Sequence, residues 1–304
     1  MAVTINIPGL VRLIIVWQPN EVLSINDASM VTRPLSGRGG LLNSSIAGKL
    51  AVFRSPDGDI WPAFRDRRDL SRATHQAALE AALSDVEPLL QRIAPEIAEL
   101  GGYVAGAPTD RNMGIIVQQA VGRLFFPDYA ATEDSYRAAR TLQAWLSAGP
   151  LRAAWIRRSG ALEAALDRIE KLSRRSMACA HATALAMDNI VRSIDLMRTM
   201  AGDGGSLATI APEVASAQTL RAPARVVREV QDQGCIGTIR LRSRTLVVMM
   251  LERARRQRPA DPGFAFFAST WNRCPAHRIV PALLTAVWQA ARDQRGGGGA
   301  QTPR

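Results

Sequence analysis

The apolar positions change period along the chain, and the period predicts the elements. Residues 3–7 and 11–17 are rich in β-branched residues and are separated by Pro8-Gly9, which predicts two short strands around a turn. Pro19-Asn-Glu-Val-Leu reads as a short helix start, Ser36-Gly-Arg-Gly-Gly40 as a flexible loop, and Pro56-Asp-Gly58 as a turn. From Trp61 to about Met200 the pattern is helical. Apolar residues recur at i, i+3 and i+4 over residues 77–90 and 93–100, and a more apolar segment over 111–126 is closed by Pro127. Helical segments over 133–146, 152–169 and 174–200 follow. The last is apolar on most faces, which predicts a buried central helix ended by the glycines of 202–205. Residues 212–220 are helical, 226–241 and 245–251 β-like or mixed, and 282–291 form a final helix. Residues 295–304 contain four consecutive glycines and are expected to be a disordered tail. With no internal repeat and no clean linker, the reading is one mainly α domain over 1–294 with small β segments.

Composition narrows the class. The chain has 304 residues, a charged fraction of 21% and an apolar fraction of 47%, ordinary for a globular protein and incompatible with global disorder. No apolar run reaches the ~18 residues of a membrane span. The longest, residues 10–17, contains Arg12, which also breaks any signal-peptide pattern. Cys179, Cys235 and Cys274 make no disulfide framework, so a cytoplasmic protein is expected. The net charge of +11 raises nucleic acid as a partner. But 36 of the 38 basic residues are Arg, as GC-rich codon usage produces, and they are spread along the chain. Aromatic residues for base stacking are only 5%. Neither nucleic acid nor a membrane is expected as partner.

Chemistry concentrates in Phe264-Ala-Phe-Phe-Ala-Ser-Thr-Trp-Asn-Arg-Cys-Pro-Ala-His-Arg. Pro275 suits the first position of a helix, and Ile279, Val280, Leu283, Leu284, Val287 and Trp288 give that helix an apolar face. Cys274 would then sit at the positive helix end, with Arg273 and Arg278 adding charge, where a thiolate is stabilised. Such a thiolate serves as a metal ligand or a nucleophile; a buried, unreactive cysteine is the alternative. His75, His181 and His277 are available as bases, but their spacing makes no triad. The three separated cysteines also make no zinc pair.

At this segment the chain resembles the cytochrome P-450 family of heme-thiolate enzymes, in which a Phe-rich loop runs into an axial Cys. Phe267 stands seven before Cys274, as in that pattern. Three further matches follow in the right order. Asp57-Gly-Asp-Ile-Trp-Pro-Ala-Phe-Arg65 is similar to the start of the family's C helix, where the Trp and Arg reach a heme propionate. Cys179-Ala-His-Ala-Thr183 is similar to the family's Ala-Gly-His-Glu-Thr on the I helix. Gln218-Thr-Leu-Arg221 stands where the family has Glu-x-x-Arg, and Arg228 takes the place of a second propionate-binding Arg.

The resemblance implies a cytochrome P-450-like helical fold holding heme b, with Cys274 as the iron ligand. It places Trp61, Arg65, Arg228 and Asn272 at the propionates, Phe267 beside the Cys ligand, and Ala180 as a small residue letting the helix pass the heme face. Thr183, with His181 near it, would assist oxygen activation. The implied function is a heme-thiolate monooxygenase-type oxidoreductase acting on a small or medium organic molecule, of the secondary-metabolite kind. An external ferredoxin-type electron donor is implied too. The departures point to alternatives. Ala182 replaces the acid before Thr183, Thr270 and Ala276 replace glycines around Cys274, and Gln218 cannot form the ionised pair with Arg221. Against the family, the chain reads as truncated at both ends. These features leave open a heme enzyme with peroxide-driven, isomerising or dehydrating chemistry, or a non-catalytic partner of a biosynthetic enzyme.

Overall fold

In the computed structural model, residues 2–33, 36–54, 61, 70–202 and 206–297 are described. They form two compact units, each built from two stretches of chain. The first comprises Met1–Ala78 and Ala222–Cys274, the second Leu79–Arg221 and Pro275–Arg304.

The first unit carries all the described strands. These are β1 (Ala2–Ile7), β2 (Val11–Val16), β3 (Val31–Thr32), β4 (Val226–Val230), β5 (Gly234–Ile236), β6 (Ile239–Leu241) and β7 (Leu246–Met249). Five make one sheet in the order β1-β2-β7-β4-β3, and β5 pairs with β6 as a separate hairpin. Among the described strands only β2 and β7 run parallel, in a register pairing Leu13 with Leu246 and Val16 with Met249. On one face Ile14, Val16, Val247 and Met249 are buried, which fixes this register, because a one-residue slip would turn them outward. Arg228 lies on β4, opposite Val247 of β7, so the sheet carries a guanidinium into the interior. The helix Pro19–Asp27 begins with Pro at its first turn and buries Val22, Ile25 and Asn26. Phe53 and Trp61 are fully buried with ring centroids 5.1 Å apart.

The second unit is helical. The helices Ala94–Ala105 and Ile279–Gly297 pack closely enough that a Cβ at Gly101 would lie 2.6 Å from that of Ala290. A Cβ at Gly122 would meet the Tyr129 ring at 2.1 Å. The helix Glu133–Ser147 starts with a reciprocal cap between Thr132 and Ser135.

Several predicted boundaries shift. The expected helix over 77–90 is two helices, Leu70–Ala82 and Val86–Arg92. The one over 152–169 is Pro150–Arg158 and Ala161–Leu172, split at Gly160, whose φ of 72° is left-handed. Residues 41–50, beyond the expected loop, form a helix. The tail expected to be disordered from Arg295 begins as helix, since Ile279–Gly297 continues through it and Arg295 Nη1 donates to Ala201 O at 3.0 Å. Residues 298–304 lie outside the described residues. No described helix is long and apolar enough to cross a membrane.

Candidate functional site

In the first unit, residues 262–274 form a closed loop. Asp261 caps a 3₁₀ turn over Pro262–Phe266 by accepting from Phe264 N. Phe267 follows with φ 51°, a left-handed conformation rare for a bulky residue and a local source of strain. The loop closes where Cys274 N donates to Phe266 O at 2.8 Å. Cys274 is half-buried, and Phe267 is buried. Pro275–His277 form a 3₁₀ turn and the α-helix starts only at Ile279, so the expectation that Pro275 opens an α-helix is corrected. The thiolate argument from a helix end therefore weakens, because the dipole effect falls off within the first turn.

The loop joins a buried polar cluster. Trp271 Nε1 donates to Asn26 O at 2.7 Å, and the Arg72 guanidinium stacks 4.5 Å from the Trp271 ring centroid. Gln76, one turn further along the same helix, donates to Arg273 O at 2.9 Å. Asn26 Nδ2 lies 3.0 Å from Thr270 Oγ1, and Arg228 Nη2 donates to Asn26 Oδ1 at 3.0 Å. Arg228 is 2% exposed. Arg33 is half-buried as a residue, but its Nε, like that of Arg228, is out of contact with water and has no partner.

The cluster holds too many donors. With the Asn272 oxygen toward Asn26 Nδ2, at 2.6 Å, its amide nitrogen faces Arg228 Nη2 at 2.5 Å and Arg33 Nη2 at 3.2 Å. Turning the amide satisfies both arginines but sets its nitrogen 2.6 Å from Asn26 Nδ2. Either way a donor faces a donor, and an acceptor is missing. Charge says the same. Burial first, and then Arg72, push the Arg33 pKa down to about 9. Burial, Arg33 and Arg72 hold Arg228 well below its ordinary value. Guanidinium is among the hardest groups to deprotonate, so this depression marks a shortage of negative charge. Neither Arg33 nor Arg228 forms an ion pair with a described carboxylate. Uncompensated buried cations are costly, and one or two carboxylates would settle them by bidentate pairing. The residues therefore fit a buried, negatively charged group.

Of the residues expected at a propionate, the structure thus brings Arg228 and Asn272 together. Trp61 is buried against Phe53 in the same unit, and Arg65 lies outside the described residues. Sequence reasoning missed Arg33, Arg72 and Asn26.

The second unit carries the remaining expected residues. The long helix predicted over 174–200 is observed as Met177–His181, a π-helical turn over Ala182–Ala186, and Met187–Gly202. Ala180 and Thr183 are fully buried and His181 is half-buried. Thr183 Oγ1 donates to Cys179 O at 2.8 Å, back along the helix. Two glutamines dock on the π turn: Gln118 Nε2 donates to Thr183 O at 3.1 Å, and Gln143 Nε2 to Ala184 O at 2.8 Å. Beside Thr183 and Cys179 lies the buried Tyr129 hydroxyl, without a well-formed bond. Burial raises the pKa of Tyr129 and pushes the Cys179 thiol up to about 11. π turns are inserted single turns that recur at functional sites. Gln218 is exposed, and its helix ends at Thr219, so Arg221 lies past the helix rather than on it. Arg221 N donates to Ser193 Oγ at 2.9 Å. Among the described residues no three His, Cys, Asp or Glu side chains gather to hold a bare metal ion.

Comparison of the sequence with protein-family models and with curated proteins gives no match. Comparison with solved structures gives many. A P-450 named RauA, solved with a biosynthetic intermediate of aurachin RE, is 10% identical with a TM-score of 0.61, over 92% of this chain and 84% of that one. Cytochrome P-450EX alpha, solved with myristic acid, is 8% identical with a TM-score of 0.62, over 92% and 80%. A six-coordinated cytochrome P-450 from Thermus thermophilus is 14% identical with a TM-score of 0.60, over 91% and 84%. The chain has the cytochrome P-450 fold: mainly helical, with small sheets.

Proposed function

We propose that this chain is a heme-thiolate oxidoreductase. The observation that carries the reading is the donor-rich cluster around Asn26 and Asn272, in the same unit as the Cys274 loop, in which Arg33 and Arg228 pair with no described carboxylate. Arg33, Arg228 and Asn272 would pair with the heme carboxylates, Arg72 would add charge from its seat on Trp271, and Trp61 and Arg65 follow from the resemblance. Cys274 would ligate the iron through its thiolate. When bound, a heme with a thiolate ligand supplies activation of oxygen or peroxide.

The protein's own part is to hold and orient. The amide of Cys274, bonded to Phe266 O, fixes the cysteine at the end of a closed loop. The two guanidiniums of Arg33 and Arg228 match paired carboxylates in charge and fork geometry. In the helical unit Thr183 is proposed as a proton-relaying hydroxyl, with His181 and Ala180 beside it on the same helix. The substrate would be a small or medium organic molecule, and a ferredoxin-type protein would donate electrons.

One observation favours a second reading. Thr183 spends its hydrogen on Cys179 O, and Ala182 supplies no acid beside it. A relay built on Thr183 is thereby weakened, which favours peroxide-driven, isomerising or dehydrating chemistry over monooxygenation. The test is reconstitution with hemin, followed by reduction under carbon monoxide. A thiolate-type spectrum that disappears in Cys274→Ala supports the proposal, and protein that stays colourless with excess hemin rejects both readings in favour of a non-catalytic role. Consumption of oxygen that depends on added reductant then separates monooxygenase from the other chemistries.

A further inference from the structure

A second set of arginines stands apart from the Cys274 cluster. Arg12, Arg38 and Arg244 line one open cavity of about 420 Å³ in the first unit. Among the described residues no carboxylate lines it, and Leu41 is its only apolar side chain. All three arginines are exposed, and none forms an ion pair. The neighbouring carboxylate, Glu229, is buried, accepts from Ser36 and Gly37, and forms no ion pair with any of the three.

The backbone beneath is fixed with unusual care. The buried Asn43 clamps two of the three arginines: its Oδ1 accepts from Arg12 N at 3.3 Å, and its Nδ2 lies 3.3 Å from Arg12 O and 3.2 Å from Arg244 O. Arg244 holds a left-handed φ of 63°, which a non-glycine residue adopts only at a cost. Gly39 is pressed so near that a Cβ would lie 2.2 Å from Arg244 O. The first amides of the adjoining helix Leu41–Leu50 are already occupied, Leu41 N by Gly9 O and Leu42 N by Leu10 O. The helix end therefore offers little to a ligand, and the arginine side chains carry the recognition.

We propose that this cavity is a binding site for a phosphate-bearing anion. Three guanidiniums around one small opening suit a group with several charged oxygens better than a single carboxylate. The phosphate could belong to a soluble compound or to a lipid headgroup, for which the exposed Leu41 would supply an apolar neighbour.

The test uses the full chain and two probes: inorganic pyrophosphate by titration calorimetry, and phosphatidylglycerol vesicles by co-sedimentation. The double variant Arg38→Gln/Arg244→Gln should weaken binding of whichever probe is bound by at least tenfold, whereas Arg292→Gln, on the other unit, should leave it unchanged. Binding of pyrophosphate alone identifies a soluble phosphate, and binding of vesicles but not pyrophosphate identifies the headgroup. If neither probe binds saturably, or if Arg292→Gln weakens binding as much as the double variant does, the site does not exist. Arg38→Gln alone guards against misfolding, because the Arg38 backbone takes no part in the Asn43 clamp.

Discussion

Replacing Arg228 with Met should leave the stability of the cofactor-free protein nearly unchanged while weakening heme binding. Arg228 is 2% exposed, lies near Arg33 and Arg72, and pairs with no described carboxylate. Removing it loses the bonds to Asn26 Oδ1 at 3.0 Å and Val227 O at 2.9 Å. Leaving those acceptors unsatisfied costs about 1–3 kcal/mol each. Relieving a buried, uncompensated charge returns several kcal/mol, and apolar replacements of buried charges are often stabilising by about 1–4 kcal/mol. The two contributions are of similar size and largely cancel, so the stability of the cofactor-free protein is expected to change by less than about 2 kcal/mol. Hemin binding should weaken, because one charge-assisted bond to a carboxylate is lost, worth about 1.5–3 kcal/mol or roughly ten- to hundredfold in affinity. Urea unfolding in a buffer free of phosphate and sulfate reads the first, and a hemin titration followed by Trp quenching reads the second. A variant that is less stable by more than about 2 kcal/mol and binds hemin as the parent does would refute the reasoning and make Arg228 a structural residue.

Four other outcomes follow from the same structure. Cys274→Ala should remove the thiolate character of the reduced carbon-monoxide spectrum, and an unchanged spectrum would take Cys274 out of the ligand role. Gln118→Leu loses bonds to Ser135 O at 3.2 Å, Thr183 O at 3.1 Å and Ser135 Oγ at 2.7 Å, and should cost about 2–3 kcal/mol in denaturant unfolding. Gly122→Ala sets a methyl group 2.1 Å from the Tyr129 ring and should lower stability by about 1–3 kcal/mol, seen as a lower melting temperature. With its thiol pushed up to about 11 by burial, Cys179 should resist iodoacetamide at pH 8 in the folded protein. The exposed Cys235 should react first, and peptide mapping that found Cys179 labelled equally fast would contradict the burial.

The parts legible in the sequence are those whose signal is local. Pro8-Gly9 and the β-branched runs beside it place β1 and β2 within a residue of where they lie. The apolar stretch before Gly202 announces the long helix, but not its π turn, since a single inserted residue is hidden where nearly every face is apolar. The helix Leu41–Leu50 escaped notice because Ser44, Ser45 and Gly48 blur its amphipathic stripe. The breaks at residues 83–85 and 159–160 were invisible to periodicity for a related reason: the apolar spacing on either side of each break matches one continuous helix. The site was half legible. Arg228, Asn272 and Cys274 could be matched to a motif because each lies in a recognisable run. Arg33, Arg72 and Asn26 could not, because they reach the Cys274 loop only through tertiary contacts such as the one from Asn26 to Asn272, 246 residues along the chain.

The most direct test of the central claim is a hemin titration of the cofactor-free protein, with the triple variant Arg33→Gln/Arg72→Gln/Arg228→Gln alongside. The account predicts saturable binding of one heme per chain with a thiolate-type spectrum for the parent. It predicts far weaker binding for the variant, which should nonetheless remain folded without heme. Binding of hemin with equal affinity by both proteins, or by neither, would contradict the assignment of this arginine cluster to a buried dianionic cofactor.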